Sequence, residues 1–254
     1  MTNCYRRLQV DRIKETNQRL CTRIQERFPD ANLVLVCQEL CGLVDTLKAK
    51  ACWIARPNWG LRVTMLASAA LVLGIALAFT FQPLTGLLSN RIEQPGDFLQ
   101  AVEAVLSGAF LLGLWLLFLV TFEQRFKRSR ALAAIHELRA MAHVVDMHQL
   151  TKDPSYVLNR AERTASSPER NFDAFELVRY LDYCSEMLSI IGKLAAYYAQ
   201  NFNDPVLYDA VNDVESLTND LARKIWQKIA VLHEYQQECE VVLESMADKE
   251  RQAV

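Results

Sequence analysis

The stretch VTMLASAALVLGIALAFTF, Val63 to Phe81, decides how this chain folds, and AVLSGAFLLGLWLLFLVTF, Ala104 to Phe122, repeats the pattern. Each runs 19 residues without a charge. At a rise of 1.5 Å per residue such a helix covers roughly 28 Å, close to the hydrocarbon core of a bilayer. A soluble helix keeps a polar stripe, and neither segment has one. Both segments are therefore expected to cross a membrane, as an antiparallel hairpin.

Flanking charge sets the orientation, because basic residues are retained on the cytoplasmic side. Lys48, Lys50, Arg56 and Arg62 precede the first span, and Arg125, Lys127, Arg128 and Arg130 follow the second. Between the spans, Arg91 stands against Glu93, Asp97 and Glu103. Both termini are expected in the cytoplasm, and the membrane is read as a bacterial inner membrane. A short loop at about residues 82–103 then faces the other side, and its Pro83, Gly86, Pro95 and Gly96 leave no room for a domain. Ala70, Gly74 and Ala78 recur every four residues on the first span, while Gly108 and Gly113 interrupt the second. Small residues let helix backbones touch where lipid supplies no hydrophobic drive. These positions are expected to pack within the hairpin or between copies, so a homo-oligomer is expected.

Composition narrows the rest. The chain has 254 residues, with 28 basic and 30 acidic side chains and a net charge of -2. No basic excess suits nucleic acid, so none is expected as a partner. Only 8 Gly and 7 Pro are present, which favours long helices and an all-α fold. Residues 1–15 hold no apolar run, hence no cleavable signal is expected. The 7 cysteines (Cys4, Cys21, Cys37, Cys41, Cys52, Cys184 and Cys239) are odd in number and scattered, with no CxxC pair. That set argues against a disulfide framework and against structural zinc. They are read as ordinary thiols in a reducing compartment.

Three regions follow: an N-terminal cytoplasmic helical hairpin, 1–60; the two-span transmembrane hairpin, 61–123; and a C-terminal cytoplasmic helical domain, 124–254. Apolar spacing predicts helices over Tyr5–Arg27 and Asn32–Ala55, broken at Pro29. A further helix is expected to run unbroken from the second span to Leu150, since no Gly or Pro lies between Leu114 and Lys152. Another is expected from Asp173 to Phe202, with Phe175, Val178, Leu181, Cys184, Leu188, Ile191, Leu194 and Tyr198 on one stripe. Asp204 should cap a last helix with Pro205 in its first position, extending to about Met246.

One polar constellation stands out. His136, Arg139, His143 and Asp146 share a helix face at offsets 0, 3, 7 and 10, with His148 close by. Such a face can take a metal, an anion or a phosphate, and Asp209, Asp213 and Asp220 on the last helix are candidates to complete it. The plainer expectation is a polar network or a solvated face. No HExxH zinc motif, Walker loop, GxGxxG or Ser-His-Asp order occurs, and no cofactor is expected.

His136-Glu137-Leu138-Arg139 resembles the phospho-acceptor box of sensor histidine kinases. The proline of that box is replaced by Ala140-Met141, and the chain has no glycine-rich ATP-binding box, which excludes a kinase. Arg130 and His136 have the Arg-x5-His spacing of HEPN-type ribonucleases. The layout of two close spans with cytoplasmic helices resembles the two-span SLATT effectors of bacterial defence islands, though no diagnostic residue matches. The expected function is a membrane-anchored helical protein acting through oligomerisation or a cytoplasmic protein partner, without catalysis. The alternatives are a pore-forming or membrane-disrupting effector gated by its cytoplasmic helices, and a metal- or ligand-binding domain using the histidine face.

Overall fold

The structure, a computed structural model, describes residues 7–55, 60, 63–64, 66–74, 95–154 and 172–252. It is all-helical, with no strand among the described residues. The principal helices are α1 (Val10–Arg27), α2 (Leu33–Ala55), α3 (Pro95–Leu150), α4 (Ala174–Asn201) and α5 (Pro205–Gln252). Residues 66–74 are helical as well. Two compact units divide the chain: residues 1–53 with 131–254, and residues 54–130.

In the first unit every helix buries one stripe at helical spacing. Val10, Ile13, Asn17, Leu20 and Ile24 form the stripe of α1. Leu33, Cys37, Leu40, Val44 and Leu47 form that of α2, and Ala131, Ile135, Leu138, Ala142 and Val145 line the end of α3. The stripe of α4 runs Leu177, Leu181, Cys184, Leu188, Ile191, Leu194, Tyr198, and that of α5 runs Leu207, Val211, Val214, Leu221, Ile225, Ile229, Leu232. Each fully buried Leu or Ile stabilises by about 1.5–3 kcal/mol. An exposed ion pair such as Lys14–Asp45, at 2.6 Å, contributes at most about 1 kcal/mol. The stripes, and not the surface charges, hold the unit together.

Caps set the helix starts. Asp173 accepts from the Glu176 backbone N–H at 2.6 Å, and Glu176 Oε2 accepts from the Asp173 N–H at 3.2 Å, completing a capping box before α4. Buried Asp204 accepts from the Leu207 N–H at 3.1 Å, ahead of Pro205 in the first position of α5. At Gly192 α4 packs closely on α5: a Cβ there would lie 3.1 Å from Thr218 Oγ1.

The structure corrects three expectations. Helix α3 starts at Pro95, so the C-terminal part of the anticipated loop, residues 95–103, is helical. Proline is pre-set for a first helical position, and its missing N–H costs nothing there. Phe175 leaves the α4 stripe and is 53% exposed, held instead under the guanidinium groups of Arg27 and Arg179, 5.6 and 5.5 Å from its ring centre. The scattered cysteines are not all free: Cys21 and Cys37 form a disulfide. An antiparallel hairpin sets residues equally distant from its turn opposite each other, and Cys21 and Cys37 lie symmetrically about Pro29. Asn17 with Cys41, Lys14 with Asp45 and Asp11 with Lys48 obey nearly the same symmetry.

In the second unit no helix is long and apolar enough to cross a membrane, counting the described residues. Residues 75–81 of the expected first span, Ala78 included, lie outside the described residues. In the second, the side chains of Ala104, Val105, Leu119 and Val120 do.

Candidate functional site

The histidine face divides when its residues are placed on the fold. His136, Arg139 and His143 point to solvent on α3. The reason is register: Ile135, Leu138, Ala142 and Val145 take the buried stripe, so the polar offsets fall on the opposite side. Asp209, Asp213 and Asp220 are exposed too, and Asp220 pairs with Arg223 on its own helix. Among the described residues no group of three His, Cys, Asp or Glu side chains is placed to hold a metal ion.

Asp146 and His148 turn inward, to two different settings. Asp146 is half-buried and accepts from Gln149 Nε2 at 2.6 Å. Gln149 is 2% exposed, and its Oε1 accepts from Lys228 Nζ at 2.7 Å. The same ammonium donates to the backbone carbonyls of Gln149 and Lys152, at 2.9 and 3.2 Å. All three N–H groups of Lys228 thereby serve the C-terminus of α3, where carbonyls lack helical partners and the dipole favours a cation. Burial lowers the Lys228 pKa, while Asp153, Asp146 and Cys184 pull it back up. Cys184, buried beside this network, is pushed up to about 12, chiefly by desolvation.

His148 lines a concavity of about 500 Å³, a size that suits a small ligand or an inserted side chain. Its walls are the α1–α2 turn (Arg27 to Asn32), the end of α3 (His148, Thr151, Lys152) and the start of α4 (Phe172, Glu176, Tyr180). The floor is aromatic. Phe28 meets Phe172, Tyr180 and Tyr183 edge-on, at 5.1, 5.8 and 6.2 Å between ring centres. Lys152 Nζ lies over the rings of Phe172 and Tyr180, at 4.4 and 5.3 Å. Burial lowers the pKa of Lys152 and raises that of Tyr180. Arg27, Lys152 and His148 line the concavity together with Asp30 and Glu176, and Glu176 is already committed to its capping box. This chemistry suits binding of a group with an anionic end and a flat apolar body.

Of the predicted ligand residues, then, the concavity takes His148 alone. Lys152, Phe172 and Tyr180 were missed by sequence reasoning. The sequence signal was thin: Lys152 and Phe172 flank Pro154 and a polar stretch that reads as a connector. Of the small residues of the expected spans, Ala78 lies outside the described residues. A Cβ at Gly74, Gly108 or Gly113 would meet nothing within 4 Å, and Ala70 is exposed. No protein-family model, curated protein or solved structure matches the chain.

Proposed function

We propose that the chain is a membrane-anchored helical protein with both termini in the cytoplasm, whose helical unit docks a cytoplasmic protein partner and whose spans join further copies. One observation supports the anchor above all others. Along α3, Leu106 (71% exposed), Phe110 (71%), Leu114 (57%) and Leu117 (65%) stand outside any core, with Leu111, Leu116 and Phe118 filling the other sides of the helix. Water does not tolerate such a surface over several turns, whereas lipid does. Arg125, Lys127, Arg128 and Arg130 follow at once, and the water-soluble pattern of one buried stripe starts at Ala131. Leu66 and Leu71, 69% and 66% exposed, repeat the feature in the first span.

The concavity around Lys152 supports docking on the cytoplasmic side. Gly74, Gly108 and Gly113, open in the single chain, support contact with a second copy, since a neighbouring backbone can approach there. Membranes from cells making the full chain test the anchor. After washing with alkaline carbonate the protein should stay in the membrane pellet. Its release into the wash, with a known integral protein retained, would sink the proposal.

A further inference from the structure

Three sulfurs meet between α1 and α2. Cys21 and Cys37 are joined, with Cα atoms 5.6 Å apart, and Cys41 Sγ lies 3.1 Å from Cys21 Sγ. Cys37 is fully buried, while Cys21 and Cys41 are partly exposed. Fully buried Asn17 sits against the group: its Nδ2 donates to Cys41 Sγ at 3.1 Å, and its Oδ1 is 3.9 Å from Cys37 Sγ. Cys37 and Cys41 are one turn apart on α2, so both reach the same point on α1. A polar amide placed without exposure beside three sulfurs is costly unless it serves them.

We propose that Cys21, Cys37 and Cys41 form a thiol–disulfide exchange site, opened and closed by low-molecular-weight thiols and disulfides, in which Cys41 is the exchanging third sulfur. In the exchange step the Cys41 thiolate attacks Cys21 Sγ. The Cys21–Cys41 bond forms, the Cys21–Cys37 bond breaks, and the electron pair leaves on Cys37 Sγ. Cys37 takes up a proton equal to the one Cys41 gave to solvent, and its S–H then faces Asn17 Oδ1. No net oxidation occurs in this step. Opening to three thiols consumes two molecules of an external thiol, which leave as its disulfide; closure runs the reverse way, with that disulfide as oxidant.

Charges around Cys41 govern the rate. Its thiol is pushed up by burial and by Asp45, and drawn down by Lys14, which pairs with Asp45 at 2.6 Å. The attacking species is the thiolate, so exchange is slow at neutral pH and quickens as pH rises. Asp45→Asn removes the unfavourable carboxylate and leaves the Lys14 cation, so it should speed exchange. If the hairpin faces the cytoplasm, as proposed above, it meets a reducing glutathione pool, and closure there would register oxidation. The site itself does not depend on that placement.

The test uses the full chain in detergent, equilibrated in glutathione buffers from fully reduced to fully oxidised, quenched in acid, alkylated and mapped by mass spectrometry. Wild type should carry Cys21–Cys37 in oxidised buffer and three free thiols in reduced buffer. Cys37→Ser should instead carry Cys21–Cys41, and Cys41→Ser should keep Cys21–Cys37 but open with glutathione on the order of tenfold more slowly. Asp45→Asn, which leaves all three sulfurs in place, guards against a folding defect in the cysteine variants. No Cys21–Cys41 bond in Cys37→Ser, an unchanged opening rate in Cys41→Ser, or slower opening in Asp45→Asn would each overturn the proposal.

Discussion

A histidine on a helix tells nothing until its neighbours claim the buried positions. On α3, Ile135, Leu138 and Ala142 claim them, and His136 and His143 are left in solvent. Their replacement by alanine should therefore shift stability by no more than about 0.5 kcal/mol, as for other surface changes. Thermal unfolding of the full chain in detergent checks this; a larger drop for either variant would mean that it has a buried partner. Cys184 is the opposite case. Its folded pKa, about 12, lies above the unfolded value near 9.0. The folded state then holds the proton longer, so this contribution is complete below pH 9.0 and is lost as pH rises towards 12. The loss runs at up to about 1.4 kcal/mol per pH unit. Tyr180 and Tyr198, also raised by burial, act in the same direction. Cys184→Ala should lower stability at neutral pH through the cavity it leaves, yet flatten the alkaline decline. Circular dichroism on raising pH in both proteins reads the difference, and parallel declines would contradict it. Spacing alone revealed the Cys184 stripe, but neither its alkaline role nor the Lys228 cap, because both depend on residues far apart in the chain.

At the scale of elements, periodicity was a good guide and turn chemistry a mixed one. Asp173, Asp204 and Pro205 announce the starts of α4 and α5 through local rules, and they sit as those rules require. Pro95 obeys the same rule, yet it reads as part of a loop because Gly96 follows it and charges stand on both sides. The Cys21–Cys37 pair was open to discovery from the sequence: once Pro29 is taken as the turn of an antiparallel helical hairpin, symmetry about it puts the two opposite each other. What the sequence does not display is how closely two helices approach. Gly192 marks the tight contact of α4 with α5, where a Cβ would press on buried Thr218. Gly192→Leu should cost about 1–3 kcal/mol by overpacking, despite the better helix propensity of leucine. Chemical denaturation of the full chain in detergent measures it. An unchanged or raised stability would show that α4 and α5 have room to separate.

For the whole molecule, the decisive contrast lies between two kinds of helix surface. From Ala131 onward each helix hides one stripe and wets the rest, which is how a bundle stands in water. Between Leu106 and Phe118, seven large apolar side chains (Leu106, Phe110, Leu111, Leu114, Leu116, Leu117 and Phe118) stand exposed over more than one stripe of the helix. The all-helical character was legible in composition and spacing. The anchor remains a proposal, since no helix among the described residues is long and apolar enough to cross a membrane. Its orientation rests on eight flanking cations against Arg91. A reporter enzyme that is active only outside the cytoplasm, inserted after Asn90 in one protein and fused after Val254 in another, tests anchor and orientation together. Activity at Asn90 with none at Val254 is the predicted result; an inactive reporter at Asn90 in a stably made protein would contradict the two-span anchor.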